Sequence, residues 1–370
     1  MVLRKSGLAA ALTLVISPSA FSSDLQINGF MNVTAGVLSN EDISADGYDD
    51  GVSFDNGTLV GLQMTQQVND STSATMQLIS RGSDSYETEA SWAYITYTAS
   101  DSTDIRMGRL RTPFFYYSDF LEVGYAYNWI TPPSIVYRLG ALSSLSGVDL
   151  TQRFTMGSVD ASVQLYGGRF SSDVELQGDE YAIELRRAMG IVLAMSMGDF
   201  GARASYHQTN ITMDIDPGGT RALDQLAAGA ALAGVGDEFI PDEDKSSFYQ
   251  ASVNYDNGST SVIAEWTALK HDSAVLNDDS AYMISAAQRM GDITGHLTYA
   301  ATSDNLKSGM VGTVQENAEL KESAIILGAR FDYDAATAFK IDIQYNDEET
   351  VAGADGETGV LYTLGMSLVF

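Results

Sequence analysis

Three histidines and no cysteine limit the covalent chemistry open to this 370-residue chain. Ser205 and His207 fall on one face of an alternating run, as do His296 and Thr298, but a Ser and a His two residues apart do not make a triad. His271 stands alone. Without Cys there are no disulfides, thiolate metal sites or thiol catalysis. Asp214-Ile215-Asp216-Pro217-Gly218-Gly219 lacks the ligand spacing of a calcium loop, so no metal, cofactor or enzymatic activity is expected. The charged residues of most interest lie instead in an aromatic stretch from Pro113 to Tyr137, which carries Asp119 and Glu122 and follows an Arg-rich run, Ile105 to Thr112. A connection of about thirty residues is normally either functional or disordered. This one is too aromatic for disorder, because its Phe, Tyr and Trp side chains need something to pack against.

The elements around it have a period of two. Ile27, Gly29, Met31 and Val33 alternate with Asn28, Phe30, Asn32 and Thr34; Val60, Leu62 and Met64 alternate with Gly61, Gln63 and Thr65. Short connections carry turn residues: Asn69-Asp70-Ser71, Ser100-Asp101-Ser102, Gly157-Ser158, Gly198-Asp199, Asp256-Asn257-Gly258, Gly291-Asp292 and Asp334-Ala335-Ala336. Seven tight turns between eight longer loops imply sixteen strands, near 24–38, 57–68, 72–81, 88–98, 103–117, 148–156, 161–169, 183–197, 201–213, 246–255, 260–270, 280–290, 293–302, 321–333, 338–347 and 359–370. Many end in aromatics, among them Tyr97, Tyr255, Tyr299, Phe331 and Tyr345, as in the girdle where strands leave a bilayer. Outside residues 1–22 the prolines lie only in loops or at strand ends. Thr220 to Gly234 reads as a Thr-capped loop helix.

Residues 1–22 read as a signal peptide: Arg4 and Lys5, an apolar run from Gly7 to Ile16, and a small-x-small site at Ala20-Phe21-Ser22. Its removal takes the formal charge from −29 to −31, which disfavours a nucleic-acid partner. No other stretch approaches the roughly eighteen apolar residues of a membrane helix, so membrane residence requires a closed barrel. The fold expected for residues 23–370 is an all-β, sixteen-stranded antiparallel transmembrane barrel. Its third loop, about 118–147, folds into the mouth and narrows a water-filled pore, with Asp119 and Glu122 as the charged face.

The strand arithmetic, the aromatic third loop and the alternating final run Val360, Tyr362, Leu364, Met366, Leu368 and Phe370 together resemble the Gram-negative general porins over the whole mature length. That resemblance implies passive diffusion of ions and small hydrophilic solutes across the outer membrane, a homotrimer, and recognition of Phe370 by the barrel-assembly machinery. It also implies a constriction in which Asp119 and Glu122 oppose Arg109 and Arg111 on the entering strand, Arg153 on the leaving strand and Arg81 on the third. One departure is the loop itself, which lacks the family's Pro-Glu-Phe-Gly-Gly motif and ends in Pro132-Pro133. Arg186, Arg203, Arg289 and Arg330 are further arginines expected in the lumen. Acid clusters at Glu41, Asp42, Asp46, Asp49 and Asp50, at Asp237 to Asp244 and at Asp347 to Glu349 form a solvated rim or bridge through divalent cations to lipopolysaccharide. Two other functions stay open: a sugar-selective channel with Trp92 and Tyr94 as an aromatic slide, and a surface receptor that does not conduct.

Overall fold

The computed structural model describes residues 25–40, 43, 45–351 and 354–370; the expected signal peptide lies outside them, as do Glu41 and Asp42. One antiparallel sheet closes on itself. Its first half contains β1 (Leu25–Leu38), β2 (Leu59–Asn69), β3 (Thr72–Arg81), β4 (Thr88–Ser100), β5 (Thr103–Arg111), β6 (Ser144–Met156), β7 (Val159–Leu176) and β8 (Asp179–Met197). The second contains β9 (Phe200–Met213), β10 (Asp244–Asp256), β11 (Thr260–His271), β12 (Asp278–Met290), β13 (Ile293–Asn305), β14 (Leu320–Asp332), β15 (Thr337–Val351) and β17 (Thr358–Val369). A two-residue strand, β16 (Ala354–Asp355), lies in the last loop and pairs with β15. Barrel closure runs through β1 and β17, from Phe30 opposite Val369 to Leu38 opposite Leu361. Sixteen long strands are therefore present, and all seven expected tight turns fall between strands.

Alternation follows from the two solvents the wall separates. Leu327 pairs with Ile343, and Ile343 with Tyr362, all exposed on the outer face. Their neighbours Ile326, Gln344 and Leu361 point inward and are buried. Since a strand turns successive side chains to opposite faces, one pattern supplies both a lipid belt and a lined interior. No described helix is long and apolar enough to cross a membrane.

Three elements differ from the sequence expectation. The strand expected to run to Tyr117 ends at Arg111, because Pro113 has no N–H to continue a ladder. Residues 170–182, expected as a loop, continue β7 and β8 as a hairpin joined by Gln177 and Gly178, both at positive φ (52° and 80°). Polar Ser171, Ser172, Asp173 and Glu175 obscure the pattern in sequence. Phe170, Val174, Tyr181 and Ile183 still alternate into an external core that also contains Leu223, Ala227 and Ala230 of helix α1 (Ala222–Leu232) and Phe239. Arg221, not Thr220, occupies the N-cap of α1 and its side chain does not cap. The first helical N–H groups are met from outside, Ala222 donating to Asp179 Oδ2 at 2.7 Å and Leu223 to the Tyr181 hydroxyl at 2.8 Å.

Candidate constriction site

Residues 112–143 join β5 to β6 and lie against the inward face of the opposite wall. Room for them comes from small inward side chains on that wall: Ala281, Ala300 and Ala324 are 2% exposed or less. Aromatics fill the space, with Phe115 edge-on to Phe248 at 5.4 Å and Tyr117 perpendicular to Trp129 at 5.6 Å. Such a loop must also satisfy its backbone away from bulk water. Tyr116 N–H and the Tyr137 hydroxyl donate to Glu265 at 2.8 and 2.5 Å, Ile130 N–H donates to Asp342 at 2.8 Å, and Trp129 Nε1 donates to Thr298 Oγ1 at 2.8 Å. Arg330 donates to the carbonyls of Tyr125 and Tyr127 at 2.6 and 3.0 Å, and Arg203 to that of Phe114 at 3.1 Å.

These anchors come from β9, β11, β13, β14 and β15, and the loop stands away from part of the β5 to β9 wall. There a cavity of about 920 Å³ is lined by Tyr116 and exposed Asp119 of the loop, and by Arg106, Arg153 and Arg203 of the wall. Wall arginines keep partners of their own: Arg106 Nε is 3.0 Å from Asp149, and Arg153 Nη2 is 2.7 Å from Asp104.

The six residues singled out from sequence separate into two groups. Asp119 and Arg153 line the cavity. Glu122 does not; its carboxylate is clamped between Arg81 at 2.9 Å and Arg111 at 3.1 Å. Burial alone would push the Glu122 carboxyl up, but the two guanidinium groups outweigh it and hold the carboxyl below the usual range. Arg81 also meets Glu89 at 2.6 Å, and Arg109 stands 3.9 Å from that same Glu89, so Arg109 joins the cluster at its edge. Arg106 was missed from the sequence because it alternates out of step with Arg109 and Arg111. Gly108, at φ 140°, lies between them, and a Cβ there would overlap the Ala93 carbonyl. Arg203 and Arg330 are inside as expected, whereas Arg186 is on the outer surface, because the register of β8 with β9 shifts between Arg186 and Met189 and breaks the alternation. His207 bridges Ser205 Oγ at 2.8 Å and the Tyr166 hydroxyl at 2.6 Å, a packed hydrogen-bond chain beside Phe114. Among the described residues no group of three or more His, Cys, Asp and Glu could hold a metal ion.

A closed barrel of sixteen long strands with an apolar outside, a polar inside and an arginine-lined passage is a transmembrane channel. The chain belongs to the Gram-negative porins, whose family profile matches residues 7–308. No curated protein sequence matches it. Among solved structures it is similar to OmpF of Salmonella typhi, in complex with daunomycin (12% identity, TM-score 0.60, 94% of this chain and 97% of that one). It is similar also to an anion-selective porin from Comamonas acidovorans (15%, 0.57, 94% and 99%) and to the trimer form of OmpT, an outer membrane protein of Vibrio cholerae (12%, 0.59, 94% and 99%). The protein is an outer-membrane channel for passive diffusion of solutes.

Proposed function

We propose that ions and small hydrophilic solutes pass between the third loop and the β5 to β9 wall, and that Asp119 opposed by Arg106, Arg153 and Arg203 sets selectivity. The carrying observation is that these four residues line one cavity. Opposite charges across a narrow aqueous passage create a transverse field that favours polar solutes and makes apolar ones shed water. Arginine suits the wall because it stays charged at any physiological pH. Glu122, Arg81, Arg111 and Arg109 hold the loop at the height where that field is felt. We further propose residues 1–22 as a cleaved signal and a homotrimeric assembly, the latter supported by the trimer form of the similar Vibrio cholerae protein.

Planar-bilayer recording of the refolded chain under a salt gradient tests the reading. Asp119→Asn should move the reversal potential toward anions; an unchanged permeability ratio would remove Asp119 from the passage. A sugar-selective channel is a second reading, favoured by the Trp92 and Tyr94 rings 6.5 Å apart and by Trp92 Nε1, buried without a hydrogen-bond partner. Block of the ion current by one sugar in a series, and not by the others, would support it.

A further inference from the structure

The hairpin formed by the ends of β7 and β8 stands beyond the lipid belt on the side of the long loops, and its two edges differ. It continues the ladder from Phe170 opposite Leu185 to Leu176 opposite Asp179. The β8 edge is covered: Ala182 N–H donates to Asp214 Oδ1 at 2.8 Å, the Ala182 carbonyl accepts from Asp214 N–H at 3.2 Å, and the Glu180 carbonyl accepts from Arg221 at 3.0 Å. The β7 edge is not. Strand β6 accompanies β7 only as far as Ser146 opposite Arg169, because the chain before Ser144 comes out of the lumen as the third loop and does not rise beside the hairpin.

Directly opposite residues of an antiparallel pair exchange both their backbone bonds or neither. Ala182 spends both on Asp214, so Asp173 opposite it turns its N–H and C=O to the open edge, and alternation gives Ser171 and Glu175 the same direction. Among the described residues no group beyond β8 hydrogen-bonds to these three. Their side chains turn away from the external core and are exposed, whereas Phe170 and Val174 turn into it. Glu175 lies opposite Glu180, and among the described residues neither these two nor Asp173 forms an ion pair. Like charges directly opposite destabilise a two-stranded ribbon, and a cation brought from outside relieves the repulsion.

We propose that the free edge of β7 docks an extended polypeptide segment in which cationic and apolar residues alternate, adding it to the sheet as a further antiparallel strand. Its backbone pairs with Ser171, Asp173 and Glu175 over about 14 Å. Its cations lie on the outer face with Asp173, Glu175 and Glu180, and its apolar side chains extend the external core, where Leu142 and Leu176 are only partly buried. The acids also keep the edge from pairing with neutral or acidic strands, which narrows the partner. A second copy of this chain does not fit, since its own β7 would set Asp173 and Glu175 against carboxylates of the same sign.

A short fluorescent peptide alternating Lys and Val tests this, by anisotropy with the refolded full chain in neutral detergent. Wild type should bind it about tenfold or more tightly than Asp173→Pro does, because proline removes an edge N–H that no bond within the sheet uses. A peptide alternating Glu and Val, and the Lys-Val peptide N-methylated at its lysines, should bind wild type more weakly by about the same factor, since the residues opposite Asp173 and Glu175 are the ones that exchange bonds with them. Conductance should be unchanged by Asp173→Pro, which separates this edge from the passage. If that variant fails to fold, the methylated peptide asks the same question of wild type. Equal binding by wild type and Asp173→Pro, or equal binding of the parent peptide and either altered one, would overturn the proposal. So would self-association of wild type that Asp173→Pro abolishes, which would make the occupant a second copy.

Discussion

Lys340 Nζ stands 4.7 Å from the centre of the Tyr127 ring. The same ammonium donates to the carbonyls of Gly124 and Trp129, so a cation rooted in the wall solvates the backbone of the third loop. No carboxylate is paired with it among the described ion pairs; carbonyl oxygens and an aromatic face do that work. Lys340→Met should leave two buried carbonyls without a donor, at about 1–3 kcal/mol each. Limited proteolysis should then cut the loop faster than in wild type while the barrel stays intact. Equal cleavage rates would show that the other anchors suffice.

The Glu122 clamp predicts a one-sided pH response. Its carboxyl is held below the usual value of 4.5 by Arg81 and Arg111 against the opposing effect of burial. A depressed carboxylate contributes stability that is fully present above its unfolded value and is lost as pH falls through the folded one. Single-channel conductance should therefore stay level from neutral pH down to about 4.5 and change only on further acidification. Glu122→Gln should show the acid phenotype at neutral pH, weakening loop docking by about 1.5–3 kcal/mol.

Gly328 marks a place where the wall has no room for a side chain. It is opposite Asp342 in the sheet, and an added Cβ would overlap both Asp342 and the His296 ring, which stand 3.0 Å apart. Gly328→Val should displace Asp342, release the Ile130 N–H it accepts from, and cost about 1–3 kcal/mol of overpacking. Conductance should rise as the loop loosens. A variant with wild-type conductance and wild-type heat stability would contradict this.

Phe239 has no exposed surface and packs with α1 and the β7–β8 hairpin outside the lipid belt. Truncation to Ala should cost about 3–5 kcal/mol, confined to that external core. Protease sensitivity should rise in residues 214–243, with heat-modifiable gel mobility unchanged. Loss of that mobility shift would mean that the external core and the barrel fold as one unit.

Much of the barrel is legible in the sequence because one period serves two surfaces. Turn residues such as Gly291-Asp292 then divide it into strands without further information. Strand ends are less legible. Val174 and Ile183 continue the alternation past the lipid belt, but only α1 gives them a surface to bury, and that helix comes later in the chain. Of the residues that line the cavity beside the third loop, Asp119 and Arg153 stand out in the sequence by their types and their place next to that loop. Arg106 does not, because it stands an odd number of residues from Arg109 and Arg111, with Gly108 at φ 140° between them. Bulges defeat parity in the same way at Arg186 and Arg187. Partnerships such as Glu122 with Arg81 join residues 41 positions apart, which no local pattern reveals.

The seam between β1 and β17 governs how such a molecule comes into being. Gly29 and Phe370 exchange backbone hydrogen bonds at 2.7 and 2.9 Å, and a Cβ on Gly29 would strike the Phe370 ring. The first strand made thus waits for the last. Until β17 arrives, β1 carries a bare row of donors and acceptors, which neither lipid nor a crowded aqueous compartment tolerates for long. Closure of the wall is thereby the last event of folding: no part of the sheet is sealed until both of its margins can meet.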